Sequence, residues 1–133
     1  MKAISARATR GLNLGAELIA ADNSGAKIVR LVSVKRSKAA KKRQVSGKIA
    51  DWVKVSVRVG IPEMKGKVFD AVIVRQKKSF RRLNGERIAF SDNAAVILKD
   101  EKGNPKGTQI KGPIAREVKE RWAQVAKIAS MVY

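Results

Sequence analysis

The sequence predicts a mainly β protein, a small barrel carrying a helical C-terminal segment, on three observations. "VKVSVRV" sets Val53, Val55, Val57 and Val59 on one side of an extended chain and Lys54, Ser56 and Arg58 on the other, the period of two that a half-buried strand requires. Short β-branched runs recur between turn signals with no Pro- or Ser-rich linker, the spacing of a small barrel. Beyond Gly112 the period changes, with Ile114, Val118, Trp122, Val125 and Ala129 returning at fours and threes, as on one face of a helix.

In chain order, residues 1–16 ("MKAISARATRGLNLGA") are read as a basic, Gly-punctuated arm, poorly ordered when free. Strands are expected at Glu17–Asp22 and Lys27–Lys35, paired as a hairpin through "NSG". The alternating valine strand follows, one face core and the other basic and wet. Val68–Arg75 contains the continuous apolar run Ala71–Val74, and Ala94–Leu98 is a second; such runs belong to strands covered on both faces or closed into a barrel. Between them, "RQKKSFRRLNGERIAF" (residues 75–90) contains Asn84-Gly85, the preferred pair for a two-residue hairpin turn. That turn sets Leu83 opposite Glu86, Arg82 opposite Arg87, Arg81 opposite Ile88 and Phe80 opposite Ala89. Pro113 stands at a first helical position, so one helix or two short ones are expected on the barrel. The 133 residues are read as a single domain: arm 1–16, barrel with ribbon 17–111, helical region 112–133.

Thirty Lys and Arg against 11 Asp and Glu give a net charge of +19. Such self-repulsion destabilises a compact chain unless an anionic partner screens it. Nucleic acid ranks first as that partner, an anionic membrane second and an acidic protein third. No uncharged stretch is long enough for a transmembrane helix or a signal-peptide core, so a soluble intracellular protein without a membrane partner is expected. With no Cys and no His, disulfides, thiolate zinc sites, cysteine nucleophiles and the usual neutral-pH base are excluded. "GIPEMKGKV" imitates a phosphate-binding loop, but Gly60 and Gly66 stand one residue too far apart and Val68 occupies the Ser/Thr position. Asp92, Asp100 and Glu101 have no second element converging on them and are assigned to turns and solubility. No catalytic residue, metal site or cofactor is assigned; a buried lysine base is the enzymatic option left open.

Two clusters carry the charge. The ribbon holds Arg75, Lys77, Lys78, Arg81, Arg82 and Arg87. Arginines placed opposite each other cost a few tenths to about 1 kcal/mol, and an isolated hairpin is marginal. The pairing makes sense with phosphate between the two guanidinium forks and with Lys77 and Lys78 as point charges. Phe80 either stacks on an unpaired base or packs on the barrel rim. A solvated edge that deters aggregation is the competing explanation, although one or two lysines would suffice for it. The second cluster, "KRSKAAKKRQ", supplies Lys35, Arg36, Lys38, Lys41, Lys42 and Arg43. It is an RNA-ordered finger, a run of nuclear-localisation type or a flexible surface loop. Lys54 and Arg58 join the basic set from the wet face of the valine strand. Trp122 is either a core anchor or a partner contact.

"AVIVRQKKSFRRLNGERIAFSDNAAVIL" resembles the signature region of the large-subunit ribosomal protein L-fourteen family. Ala71–Val74 is followed at the familiar spacing by Asn84-Gly85, Phe90, Asn93 and Val96-Ile97. The likeness extends through "ADNSGAK", "KGTQIKGPIARE" and "ERWAQVAKIAS", covering the chain from about Gly11 onward. "GLNLGA", "RQKKSFRR" and the tryptophan-containing tail resemble the archaeal and eukaryotic branch, whereas Ala123 stands where that branch often has proline, a departure that bears on whether the helix breaks there. The resemblance implies a five-stranded barrel with a projecting ribbon and small C-terminal helices. It implies rRNA binding in the large subunit of the cytoplasmic ribosome, near the face that meets the small subunit and its rRNA. Neighbouring ribosomal proteins and an anti-association factor are the implied protein partners. Carried over by position, Arg75–Arg82 and Lys35–Arg43 face rRNA, and the tail with Trp122, Val125, Ile128 and Tyr133 faces protein.

A non-catalytic rRNA-binding scaffold is therefore the expected function. The alternatives are a DNA-binding architectural protein, which would not lose affinity when DNA replaces RNA, and an enzyme acting on nucleic acid with a lysine base.

Overall fold

A computed structural model describes residues 2–133. Its strands are β1 (Ala6–Arg7), β2 (Leu12–Asn13), β3 (Glu17–Ala20), β4 (Ala26–Val34), β5 (Ser46–Gly47), β6 (Trp52–Gly60), β7 (Val68–Arg75), β8 (Phe80–Arg82), β9 (Arg87–Ile88), β10 (Ala94–Ile97), β11 (Ile110–Ile114) and β12 (Ala129–Val132). Two short helices, α1 (Arg116–Arg121) and α2 (Ala123–Lys127), precede β12. Five strands close into a barrel in the order β10-β3-β4-β6-β7, in which β10 runs parallel to β3 and antiparallel to β7. The mainly β architecture expected from the sequence is the one formed.

Alternation built the walls. Val53, Val55 and Val57 are buried while Lys54 and Ser56 between them are partly exposed. Val59 departs from the expected pattern and is 46% exposed. Val29 pairs with Val57 and Ile28 with Val59, so Arg58 is left over as a bulge that rotates the strand end. Ala71–Val74 and Ala94–Ile97 are buried throughout, because one side faces the barrel interior and the other lies under the chain that returns over it. The Ala115 amide donates to the Val74 carbonyl at 3.1 Å, and the Trp122 indole N–H donates to the Ala50 carbonyl at 2.9 Å.

The C-terminal segment corrects the expected start of the helix. Pro113 and Ile114 belong to β11, which pairs parallel with β12, and Ala129 lies in β12. Arg75 explains the extended start: its Nη1 donates to the carbonyls of Lys111 at 2.8 Å and Pro113 at 2.9 Å. Gly112 between them has φ +80, and a Cβ there would lie 2.7 Å from the same nitrogen. Helix begins only past that clamp. It breaks at Trp122 (φ −125, ψ 76) although alanine follows, so the buried indole and its hydrogen bond to Ala50 set the break, not a proline.

The N-terminal segment also differs from its expected disorder. β1 pairs with β8 and β2 with β5, Leu12 is buried, and Gln76 Nε2 donates to the Thr9 carbonyl at 2.9 Å. The segment has a period of two, with Ile4, Ala6 and Ala8 half-buried and Ser5, Arg7 and Thr9 exposed.

The ribbon's register is shifted by one residue from the expected one. Arg81 pairs with Arg87 and Phe80 with Ile88; the Arg82 amide donates to the Glu86 carbonyl and the Gly85 amide to the Arg82 carbonyl. The loop is therefore Leu83-Asn84-Gly85, with Gly85 at φ +90, a three-residue hairpin closing on a left-handed glycine. Asn84 Oδ1 accepts from the Glu86 amide at 3.0 Å, which fixes the asparagine before the glycine. One residue of slip exchanges the faces: Phe80, Arg82 and Ile88 turn inward and Arg81 and Arg87 outward.

Candidate nucleic-acid interface

The fold sorts the cations into two populations. Among the described residues, four ion pairs form: Lys54–Asp70, Arg75–Asp92, Arg82–Glu117 and Arg121–Asp51. Arg82 and Glu117 are both buried, with Arg82 Nε donating to Oε1 at 2.9 Å and Nη2 to Oε2 at 3.3 Å. Arg75 is likewise buried, its Nε donating to Asp92 at 2.7 Å. Phe80 is fully buried. These three predicted RNA contacts are spent inside the protein: bidentate carboxylates occupy both guanidinium forks, and the Phe80 ring packs in the core beside the Arg82 guanidinium at 5.7 Å. Lys54 is held across the strand pair by Asp70 at 3.3 Å.

The other ribbon cations stay outside. Lys77, Lys78, Arg81 and Arg87 are exposed, and β1 adds one that the sequence reading missed. Arg7 pairs with Arg81, which pairs with Arg87. Directly opposed residues share a face, so three arginines form one rung across three adjacent strands. No carboxylate pairs with this rung among the described residues. Like charges so placed repel, and guanidinium forks at strand spacing suit successive phosphate oxygens.

The loop cluster is the second outward population. Arg36, Lys38, Lys41, Lys42 and Arg43 are exposed and Lys35 is half-buried. Left-handed backbone occurs at Arg36 (φ 59), Lys41 (φ 51) and Lys42 (φ 62), conformations that side chains other than glycine adopt at a cost. Arg10 lines two hollows at the loop's base, and Lys48 lines the second of them with it. Asp51 sits in the second hollow, its Oδ2 accepting from the Lys48 amide at 3.0 Å and its Oδ1 lying 3.8 Å from Arg121 Nη1. Burial raises the Asp51 pKa, against the opposing effects of the Lys48 hydrogen bond and the charges of Lys48, Arg121 and Arg10. Arg58 is exposed at its bulge.

At the C-terminal end, Trp122 and Val125 are buried and attach the helices to the barrel, which removes them as surface contacts. Ile128 is half-buried and Tyr133 is 58% exposed, its ring edge-on to Phe90 at 6.3 Å.

A closed barrel that neutralises its buried arginines and leaves the rest on a ribbon rung and one strained loop defines a class, the small basic β-barrel proteins with cationic extensions. Residues 11–133 match the family model for ribosomal protein L14p/L23e, and the chain belongs to that family. It is 56% identical over 132 residues to the large ribosomal subunit protein uL14 of Nanoarchaeum equitans, with 99% of each chain covered. Identity to the proteins of that name from Methanothrix thermoacetophila and Methanocorpusculum labreanum is 49% and 45% over the same length, again with 99% of each chain covered. Archaeal relatives at this identity agree with the branch that the tail and the ribbon resemble.

Proposed function

We propose that this chain is a structural, non-catalytic constituent of the large ribosomal subunit in the cytoplasmic ribosome, and that it binds large-subunit rRNA through its outward cations. Full-length similarity to proteins named for that subunit supports the assembly. The observation that carries the RNA contact is the Arg7–Arg81–Arg87 rung, because three opposed guanidinium groups without a carboxylate are unfavourable until an anion lies across them. The RNA-facing set is this rung with Lys77, Lys78, Arg36, Lys38, Lys41, Lys42, Arg43 and Arg58. Neighbouring ribosomal proteins, the small-subunit rRNA across the interface and an anti-association factor complete the partners, with the exposed Met131, Val132 and Tyr133 nearest the protein contacts.

The test is binding of purified large-subunit rRNA over a range of salt, by wild type and by the triple variant Arg7→Gln/Arg81→Gln/Arg87→Gln. The log–log salt slope is expected to flatten by about 2 to 3, at roughly 0.7–0.9 per phosphate contact, with no loss of thermal stability. An unchanged slope removes the rung from the interface. Equal competition by duplex DNA of the same length would favour a general architectural protein instead.

A further inference from the structure

We propose that Trp52 and the cations around it form a seat for one unstacked ribonucleotide, base on the indole and phosphate on Arg10, Lys48 and Arg121. The inference rests on the RNA-binding reading and deepens it, since it names a site by chemistry that charge alone does not supply.

Trp52 opens β6 opposite Val72 of β7, so the barrel wall holds its backbone. Its ring meets that of Trp122 edge-on, with centroids 6.4 Å apart at 71°, and Trp122 is itself tied to the Ala50 carbonyl. The indole is preorganised. Two hollows of about 200 and 290 Å³ meet along Arg36, Trp52 and Arg121. The first has five basic side chains in its lining against the single carboxylate of Asp51.

Three features point to a nucleotide and not to a bare anion. Trp52 Nε1 and Arg121 Nε are shielded from solvent and have no acceptor, a costly state that a ligand presenting acceptors would relieve after a small side-chain shift. The indole face is occupied by cations, Lys35 Nζ at 4.8 Å and Arg36 Cζ at 5.7 Å from its centroid. A base stacks on that face once Lys35 and Arg36 swing off the ring, and the phosphate beside it is held by Arg10, Lys48 and Arg121. Backbone strain is the third. Arg36, which lines both hollows, is one of four left-handed non-glycines among the described residues (φ 59), and strain of this kind gathers at ligand sites. Bases within a duplex are stacked on one another and cannot reach the ring, so the occupant is single-stranded.

The experiment uses the full chain with three probes: large-subunit rRNA, single-stranded poly(U) and the poly(A)·poly(U) duplex. Trp52→Leu is expected to weaken poly(U) binding about tenfold, to leave duplex binding within about twofold, and to leave the salt slope of both unchanged. Trp52→Phe restores most of the loss. Intrinsic fluorescence needs no variant for its first reading: poly(U) quenches wild-type emission and the duplex does not, and the difference disappears in Trp52→Phe, where Trp122 emits alone. Equal losses on single strand and duplex, no loss on either, or no selective quenching by poly(U) would each overturn the seat. Wild type that fails to bind large-subunit rRNA at low salt would instead overturn the underlying function, so the two failures are separable.

Discussion

The ribbon and the 35–43 loop carry six Lys and Arg each, yet the fold treats them oppositely. Two of the ribbon's arginines are buried against carboxylates from distant elements, Asp92 and Glu117. In the loop no cation has a carboxylate partner among the described residues, and its backbone is strained at Arg36, Lys41 and Lys42. Charge density in a sequence therefore does not say which charges are for a partner. A strand alternates its side chains between two faces, so neighbouring arginines are divided between core and solvent; a loop has no such divider.

Four measurements test this contrast, taken in order of falling effect on stability. Arg82→Ala leaves Glu117 charged and buried without a partner, and is expected to cost about 3–5 kcal/mol in urea unfolding. The paired replacement Arg82→Leu/Glu117→Leu should be close to neutral. A single variant costing under about 1 kcal/mol would mean that the ribbon arginine is no more structural than the loop's. Arg75→Lys keeps the charge but loses the fork that reaches Asp92 and two carbonyls of β11. A loss of about 1.5–3 kcal/mol is expected, with increased hydrogen exchange in β11 as the local signature.

The loop should answer differently. Lys38→Gln/Lys41→Gln/Lys42→Gln/Arg43→Gln is expected to shift stability within about 0.5 kcal/mol per site, while flattening the salt slope of rRNA binding by up to about 3 to 4. A large stability loss there would erase the contrast. The smallest effect belongs to Asp51. Burial raises its pKa above the ordinary 3.8, so between those two values the folded chain holds a proton that the unfolded chain has released. Stability therefore declines as pH rises through that window. Asp51→Asn should remove this slope, checked by urea titrations on either side of the window, and should tighten rRNA binding about twofold by deleting one carboxylate close to the phosphates.

Much of the barrel was legible because its signals are local. Val53–Val57 alternates, Ala71–Val74 and Ala94–Ile97 are unbroken, and all three became the strands they predict. The polyanion preference was legible for a different reason: net charge is a sum, indifferent to arrangement. The site was only partly legible. Lys38, Lys41, Lys42, Arg43, Lys77, Lys78, Arg81 and Arg87 lie outside as expected, but Arg7 and Arg10 joined the basic surfaces from the arm, Arg121 from the helical region, and Lys48 with its neighbour Trp52 from a stretch to which periodicity assigned no element.

Strand periodicity, the charge excess and the exclusion of cysteine and histidine chemistry follow from residue type and nearest spacing alone. Tertiary contact settled which arginines face inward, because Asp92 and Glu117, 17 and 35 residues along the chain, are what hold Arg75 and Arg82 there. It also decided where the C-terminal helix starts and breaks. Those limits are set by Arg75 holding the carbonyls of β11 and by Trp122 reaching Ala50, contacts between residues far apart in the chain that no local pattern encodes.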